Sequence, residues 1–105
     1  MSRVLVGWVT CGSQREARRI AQALIEQRVA ACVNIVSGIE SHYRWEGRQE
    51  RSREWLLMIK TTGTRMREVE KLVRKLHSYQ VPEIIFVNMA GGSVDYLDWV
   101  RDSVK

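Results

Sequence analysis

Residues 39–60 read IESHYRWEGRQERSREWLLMIK, and this stretch decides the fold. Apolar and polar residues alternate over 39–45, which is the period-two pattern of a half-buried β-strand. Glu46-Gly47 is a turn signal, so residues 48–53 are predicted to return as the partner strand of a hairpin. The nearly continuous apolar run 54–60 then predicts a central strand that is buried on both faces.

Upstream of the hairpin, the sequence predicts a strand, a helix and a second strand. The strands are the β-rich runs 4–9 and 31–36, and Ser37-Gly38 predicts a bulge or bend before the hairpin. Residues 13–16 match a capping box, in which a serine hydroxyl and a glutamate carboxylate satisfy free N–H groups reciprocally at a helix start. Apolar residues then recur at the spacing of one helix stripe: Ala17, Ile20, Ala21, Leu24 and Ile25.

Downstream of the hairpin, a second helix is predicted to begin at an N-cap, Thr64, and to end before Pro82. The run 84–89 predicts the last strand, and Ser93 caps a short closing helix. The order β-α-β-β-β-α-β-α predicts an α+β fold, a ferredoxin-like sandwich with helices on one face of an antiparallel sheet and a protruding aromatic hairpin. A doubly wound α/β sheet is the alternative, but it would need more helices.

Length and composition exclude several classes of protein. The 105 residues fit one domain, 1–105, and two cysteines are too few for a disulfide scaffold. No apolar run approaches the ~20 residues of a membrane helix, and no small-residue cleavage site follows the run 4–9. We therefore expect a cytoplasmic protein with no membrane association.

The net charge of +5 raises the question of a nucleic-acid partner. The largest local surplus lies in residues 65–77, where five basic residues stand against two acidic ones. Basic and acidic residues are interleaved there, as is typical of a solvated helix face. We expect no nucleic-acid partner.

The hairpin presents two large aromatic side chains, Tyr43 and Trp45, on one strand face. Exposed apolar patches usually mark interaction sites, and symmetric homo-oligomers are their common outcome. The sequence therefore predicts that a further copy of the chain covers the hairpin. In the alternative interpretation, the hairpin folds back onto its own sheet.

The densest polar segment is 77–83, His-Ser-Tyr-Gln-Val-Pro-Glu, which joins a helix end to a strand start. Its imidazole and carboxylate suit Cu, Zn or Ni, and Cys11, in the loop before the first helix, offers a thiol whose pKa a helix N-terminus would lower. In the alternative interpretation, His77 interacts with the helix dipole and Tyr79 packs with its hydroxyl bonded. Cys32, inside a β run, is predicted to be a buried, inert thiol.

Catalytic motifs are missing from the sequence: there is no P-loop, no GxSxG and no HExxH. No set of nucleophile, base and orienting group can be assembled from the sequence, so we expect no enzymatic activity. Lys60 lies at the end of the most apolar run, where it either extends to solvent or binds an anion.

Five blocks carry a family resemblance, and they cover almost the whole chain. They are AACVNI (30–35), SHYRWEG (41–47), MIKT (58–61), HSYQVPEII (77–85) and YLDWV (96–100). Together they resemble the CutA family of divalent-cation tolerance proteins. The resemblance implies a ferredoxin-like protomer without enzymatic activity that binds copper or another divalent ion. It also implies a homotrimer that is assembled by strand pairing and is similar in build to PII signalling proteins.

The resemblance also implies site residues. His77 and Glu83 match the family's metal-contacting positions, and Cys11 is a poorer match. The cleft between subunits is expected to be lined by aromatic residues and one lysine: Tyr43, Trp45, Lys60, Tyr79 and Trp99. The family usually has proline where this chain has Ser78, and also where it has Gly12.

Two functions are therefore expected from the sequence. The first is a trimeric, cytoplasmic, copper-binding protein associated with metal-ion tolerance, with His77, Glu83 and Cys11 as metal ligands. The alternative is a PII-like signalling or scaffold module that binds a small anion near Lys60.

Overall fold

The computed structural model describes residues 2–105, which form four strands, three α-helices and one short 3-10 turn. In chain order they are β1 (Val4–Cys11), α1 (Gln14–Glu26), β2 (Cys32–Trp45), β3 (Arg48–Thr62), the 3-10 turn (Gly63–Arg65), α2 (Met66–Leu76), β4 (Ile84–Asn88) and α3 (Val94–Ser103).

The strands form one antiparallel sheet in the order β2-β3-β1-β4. This order confirms the predicted α+β, ferredoxin-like arrangement. The prediction of five strands is wrong, because residues 48–53 and 54–60 belong to one continuous strand, β3. The predicted irregularity in β2 is confirmed as a register shift between Val36 and Ile39.

The β2–β3 hairpin closes through the two residues Glu46 and Gly47, with φ of 49° and 77°. Positive φ at both positions is the requirement of a type I′ turn, whose twist matches that of the flanking strands. The long hairpin contributes to an elongated molecule of 44 × 26 × 22 Å. His42 lies in the register that alternates with Tyr43 and Trp45, so it points to the other face and is exposed, as predicted.

The core lies between one face of the sheet and the helices α1 and α2. The predicted apolar stripes supply it, and eleven buried residues make up the cluster: Val9, Cys11, Ala17, Ile20, Leu24, Val29, Ala30, Leu57, Ile59, Val69 and Val73. Their burial removes apolar surface from water, which is the dominant favourable contribution to folding.

The opposite face of the sheet, which we call the open face, is covered only at one end. There α3 contacts β1 and β3, and Val4 and Thr62 are buried. Helices therefore lie on both faces, and the prediction of helices on one face is wrong. Four large apolar side chains of the open face remain 40–49% exposed: Trp8, Val36, Ile85 and Val87.

Two of the three predicted helix caps are confirmed. Ser13 accepts a hydrogen bond from the Glu16 N–H at 3.1 Å, and Ser93 accepts one from the Tyr96 N–H at 3.5 Å. Thr64 is not an N-cap, because it lies inside the 3-10 turn and its hydroxyl bonds that of Thr62.

Candidate metal centre

Three side chains that are distant in sequence meet where β1 ends. Cys11 is the last residue of β1, Glu16 lies in the first turn of α1, and His77 is the C-cap of α2. One ligand atom from each lies within 4.8 Å of the other two. Thiol, carboxylate and imidazole are a donor set suited to a transition metal.

His77 is held in one orientation by two hydrogen bonds. Its Nε2 lies 2.8 Å from the Thr10 carbonyl oxygen, and its Nδ1 accepts from the Tyr79 N–H at 3.1 Å. Because a carbonyl oxygen can only accept, Nε2 carries the proton and Nδ1 carries the lone pair. The lone-pair nitrogen faces Glu16 Oε2 at 3.5 Å, and the His77 side chain has no exposed surface.

Glu16 has one bonded and one unbonded carboxylate oxygen. Oε1 accepts from the Ser78 N–H at 3.0 Å, whereas Oε2 is buried and has no hydrogen-bond donor among the described residues. The carboxylate half of the predicted capping box is therefore wrong, since this carboxylate turns toward the segment after α2. A buried carboxylate oxygen without a partner is costly, and a cation beside it would remove that cost.

Cys11 is fully buried. Burial, with further contributions from the Glu16 and Glu54 carboxylates, raises the pKa of its thiol to about 12. The prediction of a lowered pKa is wrong, because loss of water and two nearby carboxylates outweigh the helix N-terminus. A metal would have to displace the thiol proton.

The same three residue types resemble a nucleophile, a base and an orienting carboxylate, a set that sequence reasoning could not assemble. The burial of Cys11 keeps a substrate carbonyl away from its sulfur, and the raised pKa keeps the thiol protonated. Both features disfavour covalent chemistry at the Cys11 sulfur.

Glu83 lies outside this group. Its carboxylate accepts a hydrogen bond from the Thr10 hydroxyl at 3.5 Å, while the Thr10 carbonyl accepts from His77. Thr10 thus stands between Glu83 and the imidazole. Sequence reasoning missed Glu16 because its place in a capping box already explained it.

The five residues expected to line a cleft lie in three places. Tyr43, Trp45 and Tyr79 line one pocket of about 250 Å³ together with Gln80 and Val81, and we call this the aromatic pocket. Lys60 donates a hydrogen bond to Asn34. Trp99 lies on α3 beside Tyr96, with ring centroids 5.6 Å apart.

The structure also bears on the alternative interpretation of Tyr79 and on the prediction for Cys32. The Tyr79 hydroxyl is bonded, as the alternative for this segment predicts, because it donates to Glu54 Oε2 at 2.7 Å. Burial and this bond raise the pKa of Tyr79. Cys32, in contrast, is half-exposed rather than buried, because it begins β2 on the open face.

The raised pKa of the Cys11 thiol predicts that the protein loses stability in alkaline solution. Between the ordinary pKa of 9.0 and about 12, the folded state keeps a proton that the unfolded state has lost. The free energy of unfolding is therefore expected to fall as pH rises above 9, by at most about 1.4 kcal/mol per pH unit from this group. Urea unfolding at pH 8, 9 and 10 measures the slope.

Two variants separate this contribution from other alkaline effects. Cys11→Ala is expected to flatten the dependence on pH, whereas Cys32→Ala, which leaves Cys11 in place, keeps the slope of the parent. Equal slopes in the parent and in Cys11→Ala would contradict the prediction.

Comparison with known proteins shows the family to which the chain belongs. The family model described as CutA1 divalent ion tolerance protein matches residues 5–103. The chain belongs to the CutA1 divalent ion tolerance family. This confirms the resemblance found in the five sequence blocks.

Individual relatives of this CutA1 family member show how far the similarity extends. The divalent-cation tolerance protein CutA of Thermus thermophilus is 46% identical over 95 residues, which are 90% of this chain and 92% of that protein. A chloroplastic CutA protein of Arabidopsis thaliana is 39% identical over 101 residues, 96% of this chain but 56% of its own length. This chain thus spans about half of the plant relative.

Solved structures show the same fold. The Thermus thermophilus divalent cation tolerance protein has a TM-score of 0.95 and 44% identity, covering 97% of this chain and 99% of that chain. CutA1 of Oryza sativa has a TM-score of 0.95 and 38% identity, covering 99% and 95%. Within residues 2–105 of this CutA1 family member, no helix is long and apolar enough to cross a bilayer.

Proposed function

We propose that this CutA1 family member is a trimeric, cytoplasmic, non-enzymatic protein that binds copper or a similar divalent metal and supports metal-ion tolerance. The observation that carries the proposal is Glu16 Oε2, a buried carboxylate oxygen without a donor, aimed at His77 and close to Cys11. The donor set of nitrogen, oxygen and sulfur suits Cu or Zn.

The ligand atoms are close to the spacing that a metal needs. Bonds of 2.0–2.3 Å in a tetrahedral site place ligand atoms roughly 3.3–3.6 Å apart. The 3.5 Å between Glu16 Oε2 and His77 Nδ1 already meets this spacing. The outer limit of 4.8 Å for the group as a whole means that small movements of about 1 Å would bring all three donors to this spacing.

We assign the carboxylate ligand to Glu16 ahead of Glu83. Glu16 has a free oxygen beside the lone-pair nitrogen of His77, whereas Glu83 bonds Thr10 near the protonated nitrogen. The resemblance implies Glu83 as a ligand, and the experiment below tests both carboxylates.

Assembly into a trimer is supported by surfaces that the single chain leaves uncovered. The open face exposes large apolar side chains, and β2 and β4 each have an edge without a neighbouring strand in the described chain. Such edges offer free N–H and C=O groups to another chain. Strand pairing between copies would cover the edges, and packing of one open face against another would cover the apolar side chains.

A cytoplasmic location is supported by the two cysteines, which are both free. Reducing compartments keep thiols in this state. The alternative function, a small-anion site near Lys60, would have to compete with Asn34 for the lysine ammonium group.

Titration calorimetry with Cu(II) tests the metal site. His77→Ala and Glu16→Gln are expected to weaken binding by about 10- to 100-fold or more, because each removes a ligand. His42→Ala, a change of the same type at an exposed histidine outside the group, should bind like the parent. Glu83→Gln shows which of the two carboxylates binds the metal. A loss of Cu(II) affinity equal to that of Glu16→Gln would mean that Glu83 is also a ligand.

One outcome of the titration would contradict the proposed metal site. Binding of equal affinity in the parent and in the double variant Glu16→Gln, His77→Ala would exclude this group as the metal centre.

A further inference from the structure

The segment that follows α2 is bound to the side chains of the proposed metal ligands. The Ser78 N–H donates to Glu16 Oε1 at 3.0 Å, and the Tyr79 N–H donates to His77 Nδ1 at 3.1 Å. Two successive backbone donors therefore depend on the two side chains that would bind the ion.

The two hydrogen bonds differ in what an ion would do to them. Glu16 has a second, unbonded oxygen, so it can bind a metal and still accept from Ser78. His77 has only one lone-pair nitrogen, because Nε2 carries a proton toward Thr10. A ring lone pair cannot accept from an N–H and bind a metal at the same time. Metal at Nδ1 therefore breaks the Tyr79 hydrogen bond and spares that of Ser78.

Tyr79 connects this bond to the aromatic pocket. Its ring lies beside His77, with centroids 4.7 Å apart, and its hydroxyl donates to Glu54 at 2.7 Å. A Cβ on Gly12 would lie 2.9 Å from that hydroxyl, so the ring packs directly over the β1–α1 turn. Tyr79 also lines the aromatic pocket together with the hairpin aromatics Tyr43 and Trp45.

We infer that metal binding releases the Tyr79 backbone from His77 and thereby rearranges the aromatic pocket, so that the surface of the hairpin reports whether metal is bound. The inference rests on the proposed metal site. It assigns Tyr79 as a residue that stabilises the metal-free arrangement, and the coupling must act in both directions.

Amide hydrogen exchange resolved by NMR, with Zn(II) as a diamagnetic probe, tests the release. In metal-saturated protein the Tyr79 amide is expected to exchange at least about tenfold faster, because its acceptor is lost. The Ser78 amide should keep its protection, and it serves as the control in the same spectrum. Calorimetry with Zn(II) on the same preparation gives the binding itself.

The outcomes distinguish the inference from the function on which it rests. Zn(II) binding with unchanged Tyr79 protection would overturn the release and leave the metal site standing. If Zn(II) does not bind, the proposed function fails and the release fails with it. Faster exchange at both amides would show loosening of the whole segment and would also overturn the selective release.

A matched pair of variants tests the coupling from the other side. Tyr79→Phe removes the bond to Glu54 and so weakens the metal-free arrangement, which should tighten Zn(II) binding by about three- to tenfold. Tyr96→Phe, a change of the same type on α3, lies outside the aromatic pocket and the metal group, and should bind Zn(II) like the parent. Equal affinities of Tyr79→Phe and Tyr96→Phe would contradict the coupling.

Discussion

Ile85→Glu is expected to convert the proposed trimer into single chains of 12.2 kDa, as measured by light scattering. Ile85 lies on β4 opposite Trp8 of β1, and both side chains belong to the open face. Since Ile85 is 49% exposed in the single chain, the substitution should cost the protomer little. In an assembly that covers this face, however, a carboxylate loses its water without gaining a partner, at a cost of several kcal/mol.

The control for this assembly prediction is a matched substitution on the other side of the molecule. Ile25 lies on α1, is 43% exposed, and differs from Ile85 mainly in its position. Ile25→Glu should keep the mass of the parent. A trimer that persists in Ile85→Glu would place the interface elsewhere, and a parent that is itself monomeric would overturn the assembly proposal.

The fold could largely be predicted because local periodicity and tertiary burial agree. The stripe of α1 matches one buried face, and the Glu46-Gly47 turn follows from the need for positive φ. The alternation over 39–45 predicts the strand, although only Ile39 and Ser41 in it are half-buried. The continuity of β3 could not be predicted in this way. A change from alternating to continuous apolar residues resembles a boundary between strands, although it marks only where the hairpin leaves the sheet.

The candidate site was harder to predict than the fold. The chemistry of Cys11 and His77 was visible in their side chains, but their convergence depends on β1 ending beside the C-terminus of α2. Glu16 was not identified as a metal ligand because a glutamate at this position also fits a capping box. Only the structure shows which N–H group donates to its carboxylate. The direction of the Cys11 pKa shift also depends on the burial of Cys11. From the sequence this residue was expected to lie in a loop, whereas it is the last residue of β1.

Leu57→Ala is expected to cause the largest loss of stability among the substitutions considered, about 2–5 kcal/mol. Leu57 is fully buried between β3 and the helices, so truncation removes apolar contacts and leaves a cavity. Because small domains are stable by only about 5–15 kcal/mol, the loss approaches the threshold of folding. Urea unfolding of the parent and the variant at one protein concentration measures it.

A matched substitution at the neighbouring Leu56 tests whether a second copy covers the open face. The sequence predicts burial for both leucines, but in the single chain Leu56 points to the open face and is only half-buried. Leu56→Ala should therefore cost little in dilute protein and progressively more as concentration rises, because it weakens an assembly whose stability follows mass action. The loss in Leu57→Ala should not grow in this way, since its contacts lie within one chain. A loss in Leu56→Ala that stays small at concentrations where light scattering finds the parent assembled would mean that no second copy covers this face. The apolar character of both sides of β3 would then lack its explanation.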